Sequence, residues 1–328
     1  MKRNKTSKSI LLFIGILVSL GGFLGYRLLQ KNEIEITSNA INADVIIDKS
    51  FYGKTPLTLH LKPGVYDIQI SKQGFVKKRA SVPISEETKQ IRLNLLKGFR
   101  YIPAGRYMFG NTWKQLKGFY LSETEVTNEL YLEFLQETGN NQPYFYDDER
   151  FNSPELPVIG TSYEDAILFT KWYSEKTGYR CRLPYEYEWE YAANGRKGEY
   201  VFPWGNTEKI SGMYMANYHP FDFKLRKLLP INIDGFQYLA PPRSFPAGNN
   251  GLFDMGGNAF EWVLDTLTRT SDYPDLNLKK TPTEFIRIVK GGSWNFNQRL
   301  MEISSHVFVD GRIRRGNNGI RLLIEKEN

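Results

Sequence analysis

At 328 residues the chain is too long for one minimal domain and fits two ordinary domains, or one large domain with appendages. A hydrophobic share of 41%, a charged share of 24% and an aromatic share of 14% exclude wholesale disorder, and the single cysteine, Cys181, excludes an intrachain disulfide framework or a cysteine-only metal site. The net charge of +7 is not a nucleic-acid signal, because Lys2, Arg3, Lys5 and Lys8 supply four of those charges at the extreme amino end.

Residues 10–26 read ILLFIGILVSLGGFLGY, 17 residues without a charge. With Leu28 and Leu29 beyond Arg27, a tilted helix reaches the roughly 20 residues that a bilayer core demands. The basic cluster precedes this run, and basic residues stay on the cytoplasmic side. The sequence therefore predicts a cytoplasmic tail over 1–8, a single-pass anchor in the cytoplasmic membrane over 9–29, and a body exported to the periplasm or beyond. A cleaved signal peptide is the alternative. Ser19, Gly21 and Gly22 are small, but no Ala-x-Ala site follows the run, and no cysteine nearby can take a lipid.

Residues 33–97 change character. Residues 43–48 form an apolar run with partial alternation, 53–56 mark a turn, and 57–61 (LTLHL) alternate cleanly. A second turn at 62–64 leads into 65–70 (VYDIQI) and then Gly74-Phe75. Short strands with frequent turn signals predict a small β-sandwich. His60 falls within the alternating pattern and reads as a structural residue. The run VIIDKSFYGKTPLTLHLKPGVYDIQISKQGF resembles a PEGA domain, a spacer or interaction module of bacterial envelope proteins, and no chemistry follows from that resemblance.

From Gly98 the chain is mixed. Residues 127–138 place Leu130, Tyr131, Phe134 and Leu135 on one helical face. A second helix is predicted over 163–176, with Ser162 and Asp165 as a capping pair and Gly178 beyond its end. A third covers 185–193 and stops at Gly195. The remaining residues, rich in Gly, Asn and aromatics, show only short strand-like pieces such as 287–290. So long an irregular stretch needs something besides propensity to order it.

Bound cations are one such device. In residues 254–261 (DMGGNAFE), Asp254 and Glu261 flank a glycine-rich turn whose carbonyls can point inward. Asn217-Tyr218 and Asp234-Gly235-Phe236 again combine side-chain oxygens with flexible backbone. Hard cations such as Ca²⁺ take about six to eight such oxygens. By spacing alone, an ordinary solvated turn explains either stretch as well.

The blocks YIPAGRYMFGN, SETEVTNELYLEFL, PVIGTSYEDAILFTKWY, RCRLPYEYEWEYAANG, FPWGN, GLFDMGGNAFEW, RIVKGGSWN and NNGIRLL resemble, in order, the formylglycine-generating enzyme (sulfatase-modifying factor) family over about 99–324. That resemblance implies an α+β, irregular, C-type-lectin-like fold with two structural Ca²⁺ ions. One ion maps onto Asn217, Tyr218, Asp234 and Phe236, the other onto Asp254, Gly257, Ala259 and Glu261. Asn217, Asp234, Asp254 and Glu261 would give side-chain oxygens, and the other four main-chain carbonyls.

The family's oxidase uses O₂ and copper held by two thiolates five positions apart. Those positions, counted without a gap from Gly291-Gly292-Ser293-Trp294, are Phe296 and Met301. Neither a phenyl ring nor a thioether reproduces a bis-thiolate site, so copper is not expected and no catalytic residue is assigned. A two-histidine iron site would need His219 and His306 together, and nothing in the sequence brings them so.

Residues 294–299 and Arg312, Arg314, Arg315, Asn317 and Asn318 suggest a recognition surface, with Trp294, Asn295, Asn297, Arg299 and Arg314 as its candidate ligand-binding residues. A solvated, partly structural loop is the competing reading. The sequence thus predicts an exported, non-catalytic, calcium-stabilised binding or assembly module that engages a protein or peptide of the cell envelope. An oxygen-dependent protein-modifying enzyme and a structural subunit of an envelope machine are the alternatives.

Overall fold

The computed structural model describes residues 31–195, 199–266, 281–314 and 316–326. The predicted tail and anchor, and Arg315, lie outside them. Among the described residues no helix is long and apolar enough to cross a membrane. The chain separates after Lys97 into two compact units.

The first unit is built of Asn32–Thr37 (β1), Asp44–Ile47 (β2), Ser50–Lys54 (β3), Leu57–Leu61 (β4), Gly64–Ser71 (β5), Lys78–Ile84 (β6) and Gln90–Arg92 (β7). They form two sheets, ordered β4-β1-β7 and β3-β2-β5-β6. Alternation explains the packing. Ile34 and Ile36 from one sheet meet Val45, Ile47, Ile68 and Ile70 from the other in a closed core. Each such aliphatic side chain removed from water contributes about 1.5–3 kcal/mol. His60 lies on β4 opposite Glu33, on an exposed position.

The second unit is α+β with few helices. Helix α1 (Asn128–Thr138) starts where the Thr127 side chain accepts from the Leu130 N–H and ends at Gly139, φ 66°. Helix α2 (Tyr163–Thr177) opens on a reciprocal box: Asp165 N–H donates to Ser162 Oγ at 3.1 Å and Ser162 N–H to Asp165 Oδ2 at 2.9 Å. The left-handed Gly178 ends it. Helix α3 (Glu186–Asn194) begins one residue later than the sequence predicts, because Tyr185 is its extended cap residue. Tyr131, Phe134, Phe169 and Trp172 pack α1 on α2 with ring centroids 5.2–5.5 Å apart.

Phe99–Ile102 (β8), Gly105–Phe109 (β9), Thr112–Leu116 (β10) and Phe119–Ser122 (β11) precede the helices, and Cys181–Arg182 (β12) lies between α2 and α3. Lys209–Ile210 (β13), Met213–Tyr214 (β14), Phe221–Asp222 (β15) and Lys227–Leu228 (β16) make two small hairpins. The rest of the strands are Phe260–Thr266 (β17), Ile286–Lys290 (β18), Val307–Asp310 (β19), Asn318–Gly319 (β20) and Leu323–Glu325 (β21). One four-stranded sheet runs β12-β21-β11-β8 and another β19-β18-β17-β20. The parallel pairing of β17 with β20 sets Glu261 opposite Gly319, which brings Arg321 to the same buried place.

Candidate functional site

Two loops carry the residues assigned to cations. In the first, the Asp234 carboxylate gathers the backbone, with Oδ2 accepting from Tyr218 N–H at 2.7 Å and Oδ1 from Phe236 N–H at 3.1 Å. Asn217 donates through Nδ2 to the Tyr238 carbonyl at 2.8 Å and to Asn258 Oδ1 at 3.1 Å, which leaves its own Oδ1 uncommitted. Burial raises Asp234 above the ordinary carboxylate range against the pull of these N–H donors. Asn217 and Asn258 tie this loop to the second.

In the second loop, Asp254 and Asn258 adopt φ of 56° and 61°, which Asp and Asn tolerate, and Gly257 has φ 79°. Asp254 Oδ2 accepts from Arg243 N–H at 2.8 Å. Glu261 is fully buried at the start of β17, where Arg321 Nε donates to both carboxylate oxygens at 2.8 Å and Trp189 Nε1 to Oε2 at 2.6 Å. Arg321 also donates to the carbonyls of Ser122 and Phe253, each at 2.8 Å.

Glu125 completes the cluster, and its role is not legible in the sequence. Its Oε1 accepts from Asn258 Nδ2 at 3.1 Å, while Oε2 is buried without a hydrogen-bond partner among the described residues, 4.0 Å from Arg321 Nη2. Burial, then the charge of Asp254, holds Glu125 well above the usual carboxylate range, and burial pushes Asp254 up to about 6. Burial thus favours the protonated forms of Glu125 and Asp254 beside the Glu261–Arg321 pair, a penalty on ionisation that a bound cation would offset.

The backbone fits the same donor set. Among the described residues, no hydrogen bond reaches the carbonyl oxygens of Tyr218, Phe236, Gly257 or Ala259. All four are the ones the family resemblance assigns to cations, and of their residues Tyr218 and Ala259 are buried, where a carbonyl is rarely left unpaired. No group of three or more His, Cys, Asp and Glu side chains able to hold a metal occurs among the described residues, in keeping with two carboxylates at most in either assigned set.

The positions of the family's thiolates part company. Phe296 is 42% exposed and meets Phe260 edge-on at 5.2 Å, whereas Met301 is fully buried with Phe202, Ala216 and Tyr218. His219 pairs with the Leu229 carbonyl and His306 with Glu186, so the two histidines have separate partners. Cys181 lies on β12, and desolvation raises its thiol far above the ordinary range.

The candidate recognition residues divide by task. Trp294 packs against Tyr238 at 5.4 Å and Phe151 at 5.8 Å, and its buried Nε1 has no acceptor among the described residues. Asn295 Oδ1 accepts from Ser293 Oγ at 3.0 Å and from Asn317 Nδ2. Asn297 caps the short 3-10 turn at Gln298–Met301, and Arg299 lies over the Phe223 ring at 4.5 Å. Arg314 is committed to buried Asp165 through two bonds of 2.7 and 2.8 Å, which gives it a structural task.

A model of the sulfatase-modifying factor enzyme 1-like domain matches residues 85–326. The chain belongs to that family. A PEGA domain model matches residues 32–98. The formylglycine-generating enzyme of Bos taurus is 34% identical over 149 residues, 45% of this chain and 37% of the bovine protein. The inactive C-alpha-formylglycine-generating enzyme 2 of Mus musculus is 32% identical over 143 residues, 43% of this chain and 38% of the mouse protein. The aligned stretch thus spans little more than a third of either relative.

Two solved structures share the fold at 21% identity, a level that speaks of fold alone. Treponema denticola variable protein 1 aligns over 69% of this chain and 94% of its own, with a TM-score of 0.52. PvdO from Pseudomonas aeruginosa aligns over 69% and 93%, with a TM-score of 0.50.

Within this sulfatase-modifying-factor-like domain, sequence reasoning also missed the segment that leads into Phe151, the ring packed on Trp294. Residues 142–150 curl around an open cavity of about 810 Å³. Phe145 and Phe151 lie 4.8 Å apart, and the Arg150 guanidinium sits over the rings of Phe151 and Tyr238 at 5.2 and 5.4 Å. The aromatic run YFYDDERF between α1 and α2 was the available signal.

Proposed function

We propose that this protein is a non-catalytic member of its family, anchored in the cytoplasmic membrane and exported, that uses a calcium-stiffened domain to bind a protein or peptide of the cell envelope. One observation carries the reading: the chain has a single cysteine, and the two thiolate positions hold a half-exposed phenyl ring and a core thioether. Copper(I) held by two thiolates cannot form on that set. Relatives named as inactive are among the chain's matches, which supports the same view.

Asn217, Asp234, Asp254 and Glu261, with the unpaired carbonyls, would hold two calcium ions, whose contribution is structural. The partner would enter beside Trp294, where Phe145, Phe151, Tyr238 and Arg150 supply apolar and cationic contacts of the kind enriched at interface hot spots. The PEGA domain would act as the spacer between anchor and groove.

The test is direct. The full chain is incubated with a Cys-x-Pro-x-Arg peptide, copper and O₂, and the peptide is read by mass. An unchanged peptide is the expected result, and conversion of its cysteine to an aldehyde overturns the proposal. In parallel, capture from envelope extracts should yield one partner that is lost on Trp294→Ala.

A further inference from the structure

We propose that the β15–β16 hairpin is a finger that docks on an anionic lipid surface. The segment FKLRKL, residues 223–228, mixes three large apolar side chains with three cations. Phe223, Leu225 and Leu228 are 46, 62 and 52% exposed, although the same unit buries most of its large apolar residues. Among the described residues, no carboxylate lies within ion-pair distance of Lys224, Arg226 or Lys227.

The one acid on the finger, Asp222, is turned onto the loop itself, where Oδ1 accepts from the N–H groups of Lys224 at 2.8 Å and Leu225 at 2.9 Å. The hairpin therefore keeps a net positive charge, three cations against one acid, beside exposed apolar side chains.

The finger is also held ready. Phe221 pairs with Leu228 and Asp222 with Lys227. Gln298 clamps the base from both sides, donating to the Phe221 carbonyl at 2.7 Å and accepting from its N–H at 2.9 Å. Leu229 N–H donates to the Pro220 carbonyl and His219 N–H to the Phe296 carbonyl, each at 2.9 Å. Arg299 stacks on Phe223 and adds a fourth cation.

A hairpin fixed at its base with apolar tips in water has few internal reasons to keep them there. Charge complementarity selects an anionic occupant. The exposure of Phe223, Leu225 and Leu228 beside the cations favours a lipid surface, into which apolar side chains sink while lysine and arginine heads stay among the headgroups.

The docking is a property of the finger, and the anchor proposed above is tested separately in the same experiment. The full chain is placed in nanodiscs of neutral lipid, whose uptake of the chain reports on residues 9–29. The loaded discs, or the free chain if uptake fails, are then mixed with sucrose-filled vesicles and pelleted. One set of vesicles is phosphatidylcholine alone and the other contains phosphatidylglycerol.

Pelleting should be about tenfold or more greater with phosphatidylglycerol at low salt and should fall several-fold at high salt. Lys224→Gln, Arg226→Gln and Lys227→Gln together should abolish it. Leu225→Ser should weaken it without changing its salt dependence. All four positions are exposed, and an unchanged melt checks their folding. Equal pelleting on both vesicles, or full pelleting by the triple variant, overturns the proposal. So does a protein in envelope extracts that crosslinks at position 225 where lipid does not.

Discussion

Removing calcium should cost the second unit much of its stability, and the sign of one substitution should depend on whether the ion is there. An ion held at about 100 times its dissociation constant stabilises a fold by about 2.7 kcal/mol. For a unit of this size, about 1 kcal/mol moves the melting temperature by about 2–4 °C. Stripping both ions with a chelator should therefore lower the melt by about 10–20 °C. The structure supplies a sharper handle in Glu125, whose Oε2 is buried next to Asp254 without a partner among the described residues. In chelator, Glu125→Gln removes the cost of protonating a buried acid at neutral pH, and should stabilise by about 1–3 kcal/mol. In calcium the same change weakens the field that holds the cation and should destabilise, by about 1.4 kcal/mol for each tenfold loss of affinity. Differential scanning calorimetry of both proteins in both buffers reads all four melts. Coincident melts of the native chain with and without chelator would remove the calcium proposal. A Glu125→Gln shift of one sign in both buffers would refute the buried-acid argument.

Further outcomes follow from single residues. Gly257→Ala should destabilise by at least about 2 kcal/mol in a denaturant titration, because φ is 79° and the added Cβ would run into the Asn217 carbonyl oxygen. Ser162→Ala removes half of the box that starts α2 and should cost about 1 kcal/mol, measured in the same way. Cys181 should resist alkylation by iodoacetamide at neutral pH in the folded chain and react at the ordinary thiol rate once unfolded. Its desolvated thiol is held far above the ordinary range.

What was legible in the sequence is what is decided locally. Ser162, Asp165 and Gly178 lie within a turn of the helix ends they set, and the strands of the first unit declare themselves by alternation. Glu125, Asp254, Glu261 and Arg321 are another matter, since nearly 200 residues separate the first from the last. Their convergence depends on β17 lying between β18 and β20, a pairing that no local pattern encodes. The hairpin at 221–228 was illegible for a different reason. Two-residue strands carry no period to read, and the Asp222 side chain and Gln298 clamp do the work that longer ladders do elsewhere.

The same contrast explains how the loop after Trp294 keeps its shape without thiolates. Met301 is buried against Tyr218, and Gln298 anchors the hairpin that lies between Tyr218 and Asp234. Asn317, just before β20, donates to Ser293 Oγ at 3.0 Å and to Asn295 Oδ1, which ties the beginning of the segment to the central sheet. The loop is thus fixed at its start by amide and hydroxyl contacts and at its end by a thioether in the core. Placing a cysteine at each family position would not by itself restore a metal pair: position 296 faces partly into water while position 301 is enclosed by aromatic rings. Bringing two thiols together there would require the 3-10 turn between them to be repacked.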